Sequence, residues 1–350
     1  MRAVWNLLAV CIGLVVALGL AELLVRFAFR GSMDFDMEMW KYATQIKVPK
    51  EDPRVVHEHR PNGQAMLMGV EVTTNGLALR EGERAQKKPP GTYRIVALGD
   101  SITMGWGVAQ DMTYPAQLER RLNARPPKGF PEGLRYEVLN LGIGNYNTVQ
   151  EVMRLKNLGL TLDPDLIILG YFINDAEPTP RPSSGFLIEH SYLYAFAASR
   201  IRMFKPSTGT YLDYYKELYD DNAPGWKATQ AALGDLAAIS REHSIPAIVF
   251  IIPELHDLGD SYPFAAVHRR LEQVGTAAGL PVVDLFPALK GRKPESALWV
   301  HPLDAHHNAE AQGLMAEYMN GALETYAAAH ARKLATQKAG SSGQPASSGR

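Results

Sequence analysis

The sequence predicts an α/β domain built on a parallel sheet with helices on both faces, and two observations point there. Five aliphatic and β-branched runs alternate with segments of helical periodicity. The first run, Arg94 to Leu98, ends abruptly in Gly99-Asp100-Ser101, the punctuation of a strand turning into a helix. A serine there has its hydroxyl at the carboxyl end of a strand and its N–H beside a helix start, where open α/β sheets bind ligands. Ser101 is the nucleophile candidate.

Residues 3–25 are apolar apart from Asn6 and Glu22, with Arg2 and Arg26 at the flanks. About 20 such residues cross a bilayer. A cleaved signal peptide competes, because Leu7 to Leu20 has the length of a leader core and Ala17-Leu18-Gly19 has the small residues of a cleavage site. The apolar pattern runs on through Leu23, Leu24 and Val25, which favours an uncleaved single-pass anchor over residues 1–30. Arginines on both sides leave its orientation open. The single cysteine, Cys11, lies in this run, which excludes an intrachain disulfide and a cysteine zinc site. Val10 is too large for a lipoprotein cleavage box.

Residues 31–91 read as a stalk with a short β-hairpin packed on the main domain, from the alternation over Met66 to Val72 and the turn at Asn75-Gly76. Lys87-Lys88-Pro89-Pro90-Gly91 marks the boundary of a main domain over residues 92–335. Within it, helices are expected at Tyr114 to Arg125, Thr148 to Leu158, Trp226 to Glu242, Ala265 to Ala278 and from near Asn308 to about Ala335. Strands are expected at Tyr136 to Leu141, Asp165 to Phe172, Ile245 to Ile252 and Pro281 to Leu285. A Pro-rich loop from Glu177 to Gly185 and an aromatic segment from Phe186 to Tyr215 leave the third strand; they read equally as a lid or as a packed helical insertion. Residues 336–350, rich in Ser and Gly, are expected to be disordered. Lys and Arg (36) balance Asp and Glu (37), so no global field draws the chain to nucleic acid.

An ester hydrolase built on serine needs a nucleophile, a base, a group orienting the base, and donors for the oxyanion. Ser101 follows the first strand, Asn140-Leu141-Gly142-Ile143-Gly144-Asn145 the second, and Ile173-Asn174-Asp175 the third. His301-Pro302-Leu303-Asp304-Ala305-His306-His307-Asn308 precedes the last helix, so a carboxylate and an imidazole share one short loop. These four blocks, in this order, resemble the SGNH/GDSL hydrolases. The resemblance implies a three-layer, flavodoxin-like fold with five parallel strands. It also implies Ser101 as nucleophile, His306 as general base and acid, and Asp304 as its orienting carboxylate. The oxyanion hole would be the Ser101 N–H, the Gly142 N–H and the Asn174 side chain. Gly105-Trp106-Gly107-Val108, Tyr114-Pro115 and the anchored N-terminus are similar to the membrane-tethered, envelope-facing members.

The blocks depart from the family in three places. Gly-Asp-Ser is followed by Ile102, Phe172 stands where glycine is usual, and the usual spacing of three between Asp and His selects His307. Asn308, two after His306, matches the Asp-Gly-His-Pro-Asn of similar members and favours His306. A second copy of the tripeptide, Gly259-Asp260-Ser261, follows no strand directly and reads as a turn. Gly142-Ile143-Gly144 is a poor dinucleotide fingerprint, with Asn147 in place of its third glycine, and the loop histidines fit no standard zinc spacing. No cofactor or metal is expected. The expectation is a membrane-anchored, extracytoplasmic serine esterase acting on a small acyl ester or an acylated carbohydrate. An O-acyltransferase and a non-catalytic binding protein of the same fold stay open. Trp106, Tyr171 and Phe172 read equally as acyl-pocket lining or core.

Overall fold

The computed structural model describes residues 1–180, 185–203 and 210–341. Helix α1 (Arg2–Ala28) has no buried residue. Helix α2 (Phe35–Gln45) begins where the Asp34 carboxylate accepts the Met37 N–H at 3.1 Å, with Asp36 and Glu38 in the first turn complementing the helix dipole. Two antiparallel pairs follow, β1 (Lys47–Pro49) with β2 (His57–His59), and β3 (Gln64–Leu67) with β4 (Val70–Thr73). The hairpin turns at Met68-Gly69, inside the alternating stretch and not at Asn75-Gly76. Asn75 instead uses Oδ1 to accept the N–H groups of Leu77 and Leu79 at 2.9 and 3.0 Å, which shapes the next turn. The hairpin is packed on the main domain, as expected of it, and helix α2 joins it there. Tyr42, Ile46, Leu67 and Met68 share a buried cluster with Met104 and Trp106, just beyond Ser101.

The main sheet is built from β5 (Thr92–Gly99), β6 (Arg135–Asn140), β7 (Leu166–Tyr171), β8 (Ala247–Ile251) and β9 (Val282–Asp284), all parallel, in the spatial order β6-β5-β7-β8-β9. Every residue of β7 and β8 is buried, which a sheet achieves only when both faces are covered. The helices between the strands are α3 (Ser101–Met104), α4 (Tyr114–Ala124), α5 (Thr148–Asn157), α6 (Phe186–His190), α7 (Tyr192–Met203), α8 (Tyr211–Glu217), α9 (Pro224–His243) and α10 (Ala265–Ala278). After β9 come α11 (Phe286–Leu289), the short antiparallel pair β10 (Trp299–His301) and β11 (Asp304–His307), and α12 (Ala309–Ser341). Helix α4 packs with α12, while α5 packs on α9 and α9 on α10.

The main helices lie where their period puts them, and the five strands lie within the apolar runs of the sequence. Helix α12 continues past the expected end near Ala335, and of the expected tail residues 342–350 lie outside the described residues. So do residues 181–184 and 204–209 of the lid or insertion. Strand β5 is flanked by β6 and β7, so the strand order reverses there. The crevice at the carboxyl ends of β5 and β7, where Gly99 pairs with Gly170, is the switch point at which such sheets bind ligands.

Candidate active site

The turn after β5 depends on two glycines. A Cβ on Gly99 would lie 1.9 Å from Thr103 Oγ1, and one on Gly170 would lie 2.6 Å from the Tyr114 hydroxyl. Without those carbons, α3 starts immediately above the strand ends. Asp100 caps it, accepting the Ile102 N–H at 2.8 Å. Thr103 Oγ1 and the Tyr114 hydroxyl are 2.9 Å apart, and Gln312 of α12 ties the turn to α4, donating to the Ile102 carbonyl at 2.9 Å and accepting the Tyr114 N–H at 2.7 Å. Buried Arg80 donates to the carbonyls of Met104 (2.8 Å), Gly105 and Val108 (2.6 Å). Ser101 thus sits on a turn braced from three directions.

Ser101 Oγ lies 2.9 Å from His306 Nε2, and His306 Nδ1 lies 2.5 Å from Asp304 Oδ1. That partner set fixes the tautomer: Nδ1–H donates to the carboxylate and Nε2 is left to accept from the serine hydroxyl. Asp304 Oδ1 also accepts the His306 N–H at 3.1 Å, and its Oδ2 accepts the Trp106 indole N–H at 2.9 Å. Burial alone would raise the Asp304 pKa; the hydrogen bond and charge of His306, its backbone N–H and Trp106 outweigh burial and hold it below the ordinary carboxylate value. Where the sequence suggested a loop, Asp304 and His306 stand on β11, and side chains two apart on a strand point to one face. His307 points the other way. It is buried, its Nε2 is 2.9 Å from the Pro253 carbonyl, and burial, with the charge of His306, pushes its pKa down to about 3. His301 faces the Leu303 N–H at 3.3 Å. Among the described residues no three His, Cys, Asp or Glu side chains are grouped to hold a metal ion.

The oxyanion side differs from expectation at Gly142. Its N–H is donated to Asn140 Oδ1 at 3.0 Å and the residue is buried, so it is not a free donor. Gly142 is needed for packing: a Cβ would lie 2.4 Å from the Met104 backbone nitrogen. The loop continues through Ile143, whose N–H reaches the Gly99 carbonyl at 3.1 Å, to Asn145, which has a left-handed backbone (φ 65°) and is exposed. The Asn145 N–H makes no hydrogen bond among the described residues, and neither does the Ser101 N–H. Asn174, on a short 3₁₀ turn after β7, lines the same cavity as Asn145, and its Oδ1 has no hydrogen-bond partner among the described residues. Burial raises the pKa of Asp100, with the Ile102 N–H, His306 and the Asn174 side chain acting against that rise.

The model of the GDSL-like lipase/acylhydrolase family matches residues 97–314, a stretch that begins in β5 and ends in α12. The chain belongs to this family. At that level it is a hydrolase. No curated protein matches the sequence. The GDSL-like chain is similar to several solved structures. The psychrotrophic esterase EstA from Pseudoalteromonas sp. has 16% identity over 67% of this chain and 97% of that one, with a TM-score of 0.40. The lipase/acylhydrolase from Enterococcus faecalis has 17% identity over 65% and 96%, with a TM-score of 0.39. A two-domain esterase active on acetylated mannans has 16% identity over 67% and 50%, with a TM-score of 0.41.

Two residues of this GDSL-like site escaped sequence reasoning in part. Trp106 was readable only as pocket or core, and its indole N–H is a carboxylate ligand. Asn145 carried a signal, since Gly-Asn after a strand is the chemistry of a left-handed turn, but a glycine at Gly142 drew the assignment. Ser261, of the duplicate tripeptide, is exposed, with its hydroxyl 3.5 Å from Asp257.

Proposed function

We propose that this hydrolase is a serine esterase for small acyl esters, acetyl foremost, carried on a carbohydrate. The observation that carries the reading is the unbroken line of hydrogen bonds from Ser101 Oγ through His306 to Asp304. Ser101 attacks the ester carbonyl carbon while His306 Nε2 takes the hydroxyl proton, and Asp304 stabilises the imidazolium. The carbonyl oxygen, now an oxyanion, accepts from the Ser101 N–H, the Asn145 N–H and the Asn174 side-chain amide. Collapse returns the proton from His306 to the leaving alcohol and leaves an acyl-Ser101. Water then attacks with His306 again as base, releasing the acid and free serine.

A cavity of about 770 Å³ beside Asn174 and Asn145, with Lys47, His57, Arg60 and Tyr146 in its walls, supports a carbohydrate as the alcohol. The same cavity supports a second reading, in which a sugar hydroxyl replaces water in the second step. Mass spectrometry of products formed from an acetyl donor and an oligosaccharide acceptor separates the two readings. Helix α1 is long and apolar enough to span a bilayer, and we take it as a retained anchor with the domain outside the cytoplasm. The intact mass of the protein from membranes tests retention.

Hydrolysis of p-nitrophenyl acetate by the full chain in detergent tests the esterase reading. Ser101→Ala and His306→Ala are expected to lose about a thousandfold or more in kcat, and His307→Ala to stay within about tenfold. Equal rates for Ser101→Ala and the parent protein would overturn the reading.

A further inference from the structure

Helices α6 and α7 meet the end of α1 through a dense set of contacts. Glu22, in the last two turns of α1, accepts the Ser191 hydroxyl at 2.8 Å and the N–H groups of Tyr192 and Leu193 at 3.0 and 2.9 Å, so it caps the start of α7. Arg26 donates to the His190 carbonyl at 2.7 Å and lies over the Tyr192 ring. Trp40 of α2 donates its indole N–H to the Ile188 carbonyl at 2.5 Å, and Asp34 pairs with Arg200 at 2.5 Å. The apolar part of α1 before Glu22, residues 3–21, is about 28 Å long at 1.5 Å per residue. That matches a hydrocarbon core of about 30 Å and puts Glu22 at its edge.

The other face of this pair of helices is apolar and, among the described residues, no other element covers it. Phe186 is 77% exposed, Leu187 56%, Tyr194 42% and Ile201 64%. Tyr194, Ala197 and Ile201, all exposed, follow one another at helical spacing along α7, while Ala195 and Ser199 are buried on the opposite side. Helix α7 starts at Glu22 and runs beside the last turns of α1, where Leu23, Leu24 and Phe27 are exposed and Phe29 lies 5.2 Å from Phe196, and Arg26 and Arg200 border the stripe. Glu189 and His190 of α6 line the cavity beside Asn174. Phe35, whose ring is 6.0 Å from that of His306, is seven residues beyond the end of α1, a reach of at most about 25 Å.

We propose that α6 and α7 lie in the headgroup–acyl boundary of the bilayer that α1 crosses, with Phe186, Leu187, Tyr194 and Ile201 immersed. The wall of the cavity carried by Glu189 and His190 then stands at the membrane surface. The occupant of the apolar stripe is lipid, because the stripe continues the lipid-facing surface of α1 at the depth where Glu22 and Arg26 emerge. The inference rests on α1 being a retained anchor.

The test places an environment-sensitive fluorophore on single cysteines of the full chain in phosphatidylcholine–phosphatidylglycerol vesicles containing lipids spin-labelled near the headgroup or, for Cys11, deep in the acyl chain. The labelled sites are Cys11 itself and, in a Cys11→Ser background, Leu187→Cys, Ile201→Cys and Glu272→Cys as the water-exposed reference, each checked for an unchanged thermal midpoint. At positions 187 and 201 quenching is expected to exceed that at 272 by about threefold or more, as for an interfacial helix. Values at 187 and 201 equal to that at 272, with Cys11 quenched, overturn the inference and leave the anchor standing. An unquenched Cys11 removes both. Energy transfer between copies at 187 or 201 without lipid quenching makes the stripe a contact between two chains and also overturns the inference.

Discussion

Asp304 accepts three hydrogen bonds, and the one from Trp106 can be removed without touching His306. A hydrogen bond to a charged group contributes about 1.5–3 kcal/mol. Trp106→Phe leaves Oδ2 buried without its donor, so kcat/KM for p-nitrophenyl acetate is expected to fall about tenfold to a hundredfold. The same loss weakens what holds the Asp304 pKa down. The carboxylate then protonates at higher pH, and the acid limb of the kcat/KM profile moves up. A purely structural role for Trp106 would lower the thermal midpoint and leave that limb in place. His306 and His307 are adjacent in sequence, yet a strand period separates their roles: one faces Ser101 and the other the Pro253 carbonyl.

The loop between β6 and α5 distinguishes the two candidate donors. Asn145→Gly keeps both the N–H and the left-handed backbone, so turnover is expected to stay within about threefold of the parent. Asn174→Ala removes a side-chain donor, with an expected loss of about a hundredfold to a thousandfold in kcat. Gly142→Ala is expected to fail in folding, seen as a lowered thermal midpoint, because its Cβ would strike the Met104 backbone. A stable Gly142→Ala with turnover lost would return the donor role to Gly142. Elements of this size show how far the sequence could be read. Strands β5 to β9 were legible as unbroken apolar runs and helices α4, α5, α9 and α10 from their period, with Gly and Pro punctuation between them. Helix α2 carried a capping aspartate and two acids in its first turn, but its sequence, Phe-Asp-Met-Glu-Met-Trp-Lys-Tyr, alternates like a strand and masks the helical period. The pair β10 and β11 is three and four residues long, too short to show a strand period, although it decides which histidine meets Ser101. The direction of the Gly142 N–H depends on Asn140, a choice of hydrogen-bond partner that no spacing rule encodes.

At the scale of the molecule, buried groups of opposite kind set the pH dependence of stability. Glu151 is buried with neither carboxyl oxygen hydrogen-bonded among the described residues, and burial, then Asp100, raise its pKa well above the ordinary value of 4.5. Asp175 is raised in the same way, by burial first and then by Glu151 and Asp100. Between the unfolded and folded pKa values the folded state holds more protons than the unfolded chain. Their stabilisation is therefore complete below the ordinary values, 4.5 for Glu151 and 3.8 for Asp175, and is lost as pH rises, at about 1.4 kcal/mol per pH unit for each group. Glu151→Gln removes one of them while keeping the shape. Its thermal midpoint is expected to exceed that of the parent at pH 8.5 by more than it does at pH 5; a constant difference across pH would contradict a raised Glu151. Histidines run the other way. His57 and His307 are pushed by burial to about 3, so each favours unfolding as pH falls below about 6.5, down to that value.

The central claim is that Ser101, activated by His306, is the nucleophile, and covalent trapping tests it most directly. The full chain is incubated with a fluorophosphonate, digested, and mapped by mass spectrometry. One phosphonylated peptide is expected, modified at Ser101, absent from Ser101→Ala and formed at least about a hundredfold more slowly in His306→Ala. Modification at another serine, Ser261 included, or equal labelling rates in the parent and His306→Ala, would contradict it.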